Sequence, residues 1–378
     1  MKLNNILFQI TIFFSVFCYT KFFNLGTNSD IQIYYFLFSF VSLLLISKKK
    51  IPEGKLVTIF ILVNIYILLF EKIRFFSYLK GIYSYVSMGI VTYTFYNFCF
   101  LIKLKKIERI LKFYYWIWGI TGIIQMLNKN FGVFWINRIT YGGGRGSLAF
   151  SPEPAYYVFF LIMISLTLYT INIKNKVYFL CSLILALISA KSTVGSLYLV
   201  IINIIIFYKK RNLGRYLFFV IFILLVICSI IYINYERIDL RIIRIARGIL
   251  ENLKKFIEQD GSIQTRINHI YYSIKGSIES FFLPNGFSKW NDYMNFIFHR
   301  QNTKDVSNIN TMFGAMLYEL GGVITFFYYF RLKRILINKK FFLILLFLSL
   351  DGLNITNPLY GVFIGINYYI HILKRKEG

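Results

Sequence analysis

The chain has 378 residues, 57% of them hydrophobic and 20% aromatic, with a mean hydropathy of +0.60, which excludes an ordinary soluble domain. Lys and Arg number 43 against 16 Asp and Glu, a net charge of +27. These cations sit in short loops between apolar runs and form no recognition module, so nucleic acid is set aside as a partner; the composition reads as an all-α polytopic membrane protein surrounded by membrane lipids.

Taken in chain order, apolar runs fall at 4–20, 31–47, 56–70, 82–102, 110–127, 154–172, 176–190, 193–208, 213–234, 311–330, 341–357 and 359–373. Each is near the length that crosses a ~30 Å hydrocarbon core as helix, which predicts about 12 transmembrane helices. The first run continues into Lys21 and aromatics without a small-residue cleavage site, so the N-terminus is expected to stay. Cation-rich loops alternate with poor ones. The rich ones hold Lys48, Lys49, Lys50 and Lys55, then Lys103, Lys105, Lys106 and Arg109, then Lys209, Lys210, Arg211 and Arg215, then Arg331, Lys333, Arg334, Lys339 and Lys340. Because such loops stay on the cytoplasmic side, both termini are expected to be cytoplasmic. Residues 1–234 then form transmembrane helices 1–9 with an outer loop at 128–153, residues 235–310 form one large outer loop, and residues 311–378 form helices 10–12 and a cytoplasmic tail.

The first outer loop ends in Gly142-Gly143-Gly144-Arg145-Gly146-Ser147-Leu148-Ala149-Phe150-Ser151-Pro152-Glu153-Pro154. An arginine on a glycine run, followed by a carboxylate between two prolines at a helix start, suits an anionic, sugar-bearing lipid. The glycine run lacks the Lys-Ser/Thr ending and preceding strand of a nucleotide loop. Glu153 reads two ways: a proton acceptor for a substrate hydroxyl, or a carboxylate that complements the dipole of the following helix. Farther on, Ser189-Ala190-Lys191-Ser192-Thr193-Val194-Gly195 marks a tight outer turn in which Lys191 snorkels to the interface.

Within 235–310, Ile238, Ile242, Ile245, Ile249, Leu253 and Phe256 recur at helical spacing, with Arg241, Arg244, Arg247, Glu251, Lys254 and Glu258 on other faces. This predicts an amphipathic helix that either lies on the outer leaflet or packs on its neighbour in the loop. Asp260-Gly261-Ser262 then opens a second amphipathic helix striped by Ile263, Ile267, Ile270, Ile274, Ile278 and Phe281, and Pro284 and Gly286 end it. On it Arg266, His269 and Ser273 share a polar face. Arg266 lies near the N-terminus, where a guanidinium and free N–H groups together suit a phosphate, the alternative being a solvated face.

In the last part of the chain Glu319, in Tyr318-Glu319-Leu320-Gly321-Gly322, falls nearly mid-span. It either bridges helices or meets substrate directly. Asp351, Asn354 and Asn357 mark another turn. The cysteines Cys18, Cys99, Cys181 and Cys228 all lie inside apolar runs with no pairing pattern, so neither a disulfide nor a metal site is expected. The only acidic-x-acidic spacing in the loops, Glu258-Gln259-Asp260, sits at a helix end, and no cofactor is called for. No internal repeat of the kind that builds many transporters is present.

In order and spacing, Arg145 with Ser151-Pro152-Glu153-Pro154, the Lys191-Gly195 turn, Arg266 ahead of Leu283-Pro284-Asn285-Gly286-Phe287, and Asn310 ahead of Leu317-Tyr318-Glu319-Leu320-Gly321 resemble a Wzy-type O-antigen polymerase of the O-antigen polymerase–ligase superfamily. The resemblance covers roughly residues 110–330. It implies a GT-C-like, many-span architecture with one large periplasmic loop, acting on undecaprenyl-diphosphate-linked oligosaccharides, with a chain-length regulator as a further partner. Related ligases carry a histidine before the asparagine that opens the last shared span; here that position is Ile309, which favours polymerase over ligase. For the chemistry this implies, Arg145 and Arg266 are the candidates for holding diphosphate, Glu153 and then His269 for accepting a proton, and Lys191, Glu319 and Asn310 for lining the cavity. Arginine fits such a task because its planar fork pairs with phosphate oxygens and keeps its proton. Rival readings are a lipid-linked oligosaccharide flippase, which would place charge along a central bundle and show two similar halves, a teichuronic-acid or exopolysaccharide polymerase, which differs mainly in product, and a non-enzymatic channel or scaffold.

Overall fold

The computed structural model describes residues 2–22, 31–46, 54–70, 75–132, 135–136, 146–207, 261–287, 289–297, 309, 311–351 and 356–377. These residues are almost entirely helical and contain no strand; a single isolated bridge joins Thr20 and Ile136. Helices satisfy their own backbone hydrogen bonds, which a hydrocarbon surrounding demands. The apolar run at 213–234, the amphipathic segment at 238–256 and Cys228 lie outside the described residues.

Three helices among the described residues are long and apolar enough to cross a membrane, Pro154–Ile171, Ile173–Ala190 and Met312–Ile335, and shorter apolar helices cover Leu3–Val16, Tyr34–Ile46, Lys55–Phe70 and Val194–Phe207. Large apolar side chains such as Leu44, Leu62, Leu69 and Leu197 are exposed on them, a surface that suits lipid better than water. Helix limits follow the sequence closely where a stop is chemical. Pro154 opens its helix and Asn172 closes it, donating its backbone N–H to the Leu168 carbonyl, while its side chain accepts from the Lys174 N–H to cap the 3-10 turn Ile173–Lys176 that follows. They run past the hydropathy limits where charged residues with good helix propensity continue the chain, as at Lys105, Lys106, Glu108 and Arg109 before the run at 110–127.

The chain divides into two compact units. The first comprises residues 1–38 and 101–256. Its described helices are α1 (Lys2–Val16), α5 (Leu104–Leu127), α6 (Pro154–Ile171), α7 (Val177–Leu185) and α8 (Thr193–Phe207), with a π-helical turn at Ala186–Ala190 between the last two. Their core is aromatic: Trp118 of α5 stacks on Phe160 of α6 with ring centroids 3.6 Å apart, and Phe150 meets Trp118 edge-on at 5.5 Å. Gly122 lets α5 approach closely, since a Cβ there would collide with the Tyr157 hydroxyl and the Ser189 Oγ. Asn203 of α8 donates to the Phe179 carbonyl of α7 at 3.1 Å, a polar tie of the kind that holds helices together in lipid.

The second unit comprises residues 39–100 and 257–378. It holds most of α2 (Tyr34–Ile46), then α3 (Gly54–Phe70), α4 (Phe75–Leu101), α9 (Gly261–Glu279), α10 (Trp290–Ile297), α11 (Met312–Ala315), α12 (Gly321–Ile335), α13 (Lys339–Asp351) and α14 (Pro358–Glu377). A second π-helical turn, Met316–Leu320, joins α11 to α12. Gly361 and Gly365, four residues apart on α14, let it lie against α4, where added methyl groups would strike Val91 and the Thr92 carbonyl. Tyr329 of α12 donates to Ser349 of α13 at 2.8 Å.

Candidate functional site

The first cluster is in the first unit. Gln125, buried on α5, accepts from the N–H groups of Leu148 at 2.9 Å and Ala149 at 2.7 Å, and donates to the carbonyls of Ala149 and Phe131, both at 2.9 Å. One side chain thus fixes the backbone after Gly146 in a bend where Ala149 has a left-handed φ of 49°. Ser147 N–H donates to the Ser189 carbonyl at 2.9 Å, and Gly146 presses so closely on Ala190 that a methyl group there would overlap its carbonyl. Ser151, fully buried, turns its hydroxyl to the carbonyls of Leu148 at 2.8 Å and Glu153 at 2.7 Å. The Gly146–Pro154 and Ser189–Gly195 motifs, some forty residues apart in sequence, are therefore in contact.

Glu153 is the residue before α6, in extended conformation, with Pro154 as the first helical residue. Its side chain is half-buried and makes no capping hydrogen bond to the helix. Lys191 is exposed and left-handed (φ 48°, ψ 35°) at the end of the π-helical turn, while Ser192 accepts from the Gly195 N–H at 3.2 Å and starts α8. Single π turns are frequent at functional sites because they push one residue out of helical register. Arg145 lies outside the described residues. Replacing Gln125 with Leu would strand two buried donors, each costing about 1–3 kcal/mol. The variant is expected to melt well below the wild type in detergent and to lose activity; an unchanged melting curve would contradict this account of the bend.

The second cluster is in the second unit and centres on Glu319. The π-helical turn Met316–Leu320 ends at Gly321, whose φ of 85° and ψ of 169° are open only to glycine. The segment after α9 is bent through left-handed Phe281 and Phe282 and locks onto this turn. Asn285 N–H donates to the Tyr318 carbonyl and Gly286 N–H to the Glu319 carbonyl, both at 3.1 Å, and Gly322 N–H donates to the Phe282 carbonyl at 2.9 Å. Glu319 itself is half-buried, and its Oε2 accepts from the hydroxyl of buried Tyr85 on α4 at 2.7 Å. Phe287 lies against Tyr78 and Tyr85 and directly over Gly81.

His269 and Ser273 sit on the face of α9 that packs inward. His269 is 1% exposed, Ser273 and Ser277 are fully buried, and Ser277 donates to the Leu317 carbonyl at 3.1 Å. The isoleucine stripe faces outward instead, with Ile267, Ile274 and Ile278 exposed. The solvated polar face allowed by the spacing is thus replaced by a buried polar face and an exposed apolar one, the arrangement expected of a helix in contact with lipid. The His269 ring meets Trp290 edge-on at 5.6 Å, and Trp290 meets Tyr318 at 5.2 Å. Burial pushes the imidazole down to about 4. The folded state therefore holds His269 neutral while the unfolded chain takes up a proton below about 6.5. Stability from this group is complete above about 6.5 and is lost as pH falls toward 4. Melting temperature is expected to drop across that window in the wild type and less steeply in His269→Phe; parallel profiles would exclude the effect.

Arg266 lies on α9 one turn before His269, with its side chain outside the described set, as is Asn310; Ile309 packs against the Trp290–Met294–Tyr318 cluster. The free thiols of Cys18 and Cys99 are buried. Among the described residues no three of His, Cys, Asp and Glu converge as metal ligands. Two contributors went unnoticed in the sequence. Gln125 carried a faint signal as a lone amide in an apolar run; Tyr85, one of 30 tyrosines, carried none. No family model matches the chain, and no curated protein matches it.

Proposed function

We propose that this protein is a membrane glycosyltransferase of the Wzy type. It polymerises undecaprenyl-diphosphate-linked oligosaccharide repeat units at the outer, periplasmic face of the cytoplasmic membrane, transferring the growing glycan to the non-reducing end of a new lipid-linked unit. The observation that carries the reading is the direct pairing of two segments of the resemblance, Asn285-Gly286 with Tyr318-Glu319, around a carboxylate in an apolar helix. A carboxyl group kept in apolar surroundings and built into a π-helical turn supports work on a polar substrate.

In the proposed reaction the acceptor hydroxyl oxygen attacks the anomeric carbon of the donor, the bond from that carbon to the diphosphate oxygen breaks, and the hydroxyl proton passes to a base. Negative charge grows on the departing diphosphate, and Arg145 and Arg266 serve to hold the lipid diphosphates by paired hydrogen bonds, one on the donor and one on the acceptor or both on the leaving group. Glu153 is the base of choice. It is a half-buried carboxylate at the entry to α6, whereas the His269 ring is buried against Trp290. Glu319 and Tyr85 orient sugar hydroxyls. Glu153→Gln is expected to stop extension; full activity in that variant would pass the role to another group.

The glycan ladder of a deletion strain tests the reading. Single repeat units capping the surface lipid are the expected result. Loss of all surface glycan would point to a flippase, and free, unligated polymer to a ligase.

A further inference from the structure

The end of the first unit expected to face the cytoplasm is rich in cations and poor in anything to balance them. Between residues 101 and 207 the chain has two acidic residues, Glu108 and Glu153, and Glu153 stands at the far end of α6. Glu108 is taken up locally: its Oε1 lies 2.6 Å from the Lys112 Nζ and accepts from the Nδ2 of buried Asn175 at 2.9 Å. The second bond ties the first turns of α5 to the 3-10 turn before α7. Lys112 over the Tyr178 ring, and Trp116 with its ring 6.3 Å from that of Tyr178, carry the contact down the two helices. Around this seam stand the exposed cations Lys103, Lys105, Arg109, Lys174 and Lys176, and the stretch supplies no further carboxylate to neutralise them.

The exposed stripe of α5 changes character once along its length. Lys105 and Arg109 are followed, at three- or four-residue spacing, by Phe113, Trp116, Ile120 and Ile123. The neighbouring span, Ile173–Ala190, is long and apolar enough to cross a membrane and repeats the order, with Lys174 and Lys176 ahead of exposed Val177, Ile184 and Ile188. Lys105 to Arg109 is a rise of ~6 Å, about the depth of one headgroup layer, ~5–8 Å, outside a ~30 Å hydrocarbon core. The apolar part thus begins where acyl chains begin. A soluble anion would meet the cations and leave Phe113 and Trp116 uncovered, whereas a zwitterionic lipid would cover the rings and bring a cation of its own for every phosphate. We propose that the α5–α7 seam binds an anionic phospholipid of the surrounding leaflet, its phosphate held by Arg109 and Lys174 and its chains laid along Phe113 and Trp116. The seam is at the opposite end of α5 from Gln125 and of α6 from Glu153, so this assignment stands or falls independently of the function proposed above.

The test is lipid retention by the purified full-length protein in detergent, read by native mass spectrometry with phosphatidylglycerol, with phosphatidylcholine of the same chains, and with soluble glycerophosphoglycerol. Phosphatidylglycerol is expected to be retained about tenfold more than phosphatidylcholine. Arg109→Gln combined with Lys174→Gln should abolish that preference, while Lys333→Gln combined with Lys339→Gln, which removes two exposed cations from the second unit, should leave it intact. Phe113→Ala combined with Trp116→Ala should weaken retention of the lipid. Trp116 also gives a reading on the unaltered protein, independent of whether the variants fold. At low mole fraction, phosphatidylglycerol with brominated chains should quench a component of the tryptophan fluorescence that Trp116→Phe lacks, and brominated phosphatidylcholine should quench it far less. Equal retention or equal quenching by the two lipids would overturn the assignment. So would the same loss in the second-unit pair, or capture of the soluble headgroup as strongly as of the lipid.

Discussion

Glu319→Gln is expected to lose at least a hundredfold in chain extension while keeping the wild-type fold, a loss of about 2.7 kcal/mol in transition-state stabilisation. The two effects separate because the amide oxygen of glutamine can still accept from the Tyr85 hydroxyl, which in the wild type donates to Glu319 Oε2 at 2.7 Å. Only the titratable oxygen is replaced. Glu319→Ala removes the acceptor as well and leaves the buried Tyr85 hydroxyl unpartnered, adding a stability cost of about 1–3 kcal/mol. The Gln variant should therefore melt with the wild type in detergent and the Ala variant below it, with both inactive. An active Gln variant would reduce Glu319 to a structural bridge between α4 and the π-helical turn.

Arg145→Ala and Arg266→Ala are each expected to lower polymer formation about 10²–10³-fold, the usual effect of removing one preorganised donor from developing negative charge. Lysine at either position should recover only part of the loss, because an ammonium is a point charge and cannot pair with two phosphate oxygens at once. The readout is the length of the surface glycan at matched protein level. Normal polymer from both single variants would remove the clamp.

Much of the helical scaffold is legible in the sequence because its causes are local. Pro154 and Asn172 bound one helix chemically, and the apolar runs at 31–47 and 193–208 become Tyr34–Ile46 and Thr193–Phe207. The second loop helix also starts at the expected break, at Gly261. Its orientation is another matter. Periodicity places Ile267, Ile274 and Ile278 on one face and His269 and Ser273 on the other, yet it does not say which face is covered. In contact with lipid the polar groups turn inward to partners and the isoleucines turn out.

Two charged residues of the candidate site can be picked out in the sequence, while what holds them cannot. Glu319 and Lys191 stand out as ionisable residues in apolar surroundings; the first lies within one π-helical turn and the second ends the other. The turns themselves have no sequence pattern, because one inserted residue per turn is settled by packing. Tyr85 is separated from Glu319 by 234 positions, a pairing that only the fold creates. Gln125 is similar: three of its four hydrogen bonds reach a bend more than twenty residues away, and nothing near it in sequence announces them.

The central claim is that arginines outside the bilayer hold a lipid diphosphate as it leaves the sugar. Its most direct test is extension by the purified protein of a synthetic lipid-linked repeat unit whose donor carries either a diphosphate or a monophosphate between the same glycan and the same polyprenyl chain. The account predicts polymer from the diphosphate donor, essentially none from the monophosphate, and loss of that discrimination together with activity when Arg145 and Arg266 are replaced by Ala. Equal extension from both donors, or extension that persists in the double variant, would contradict it.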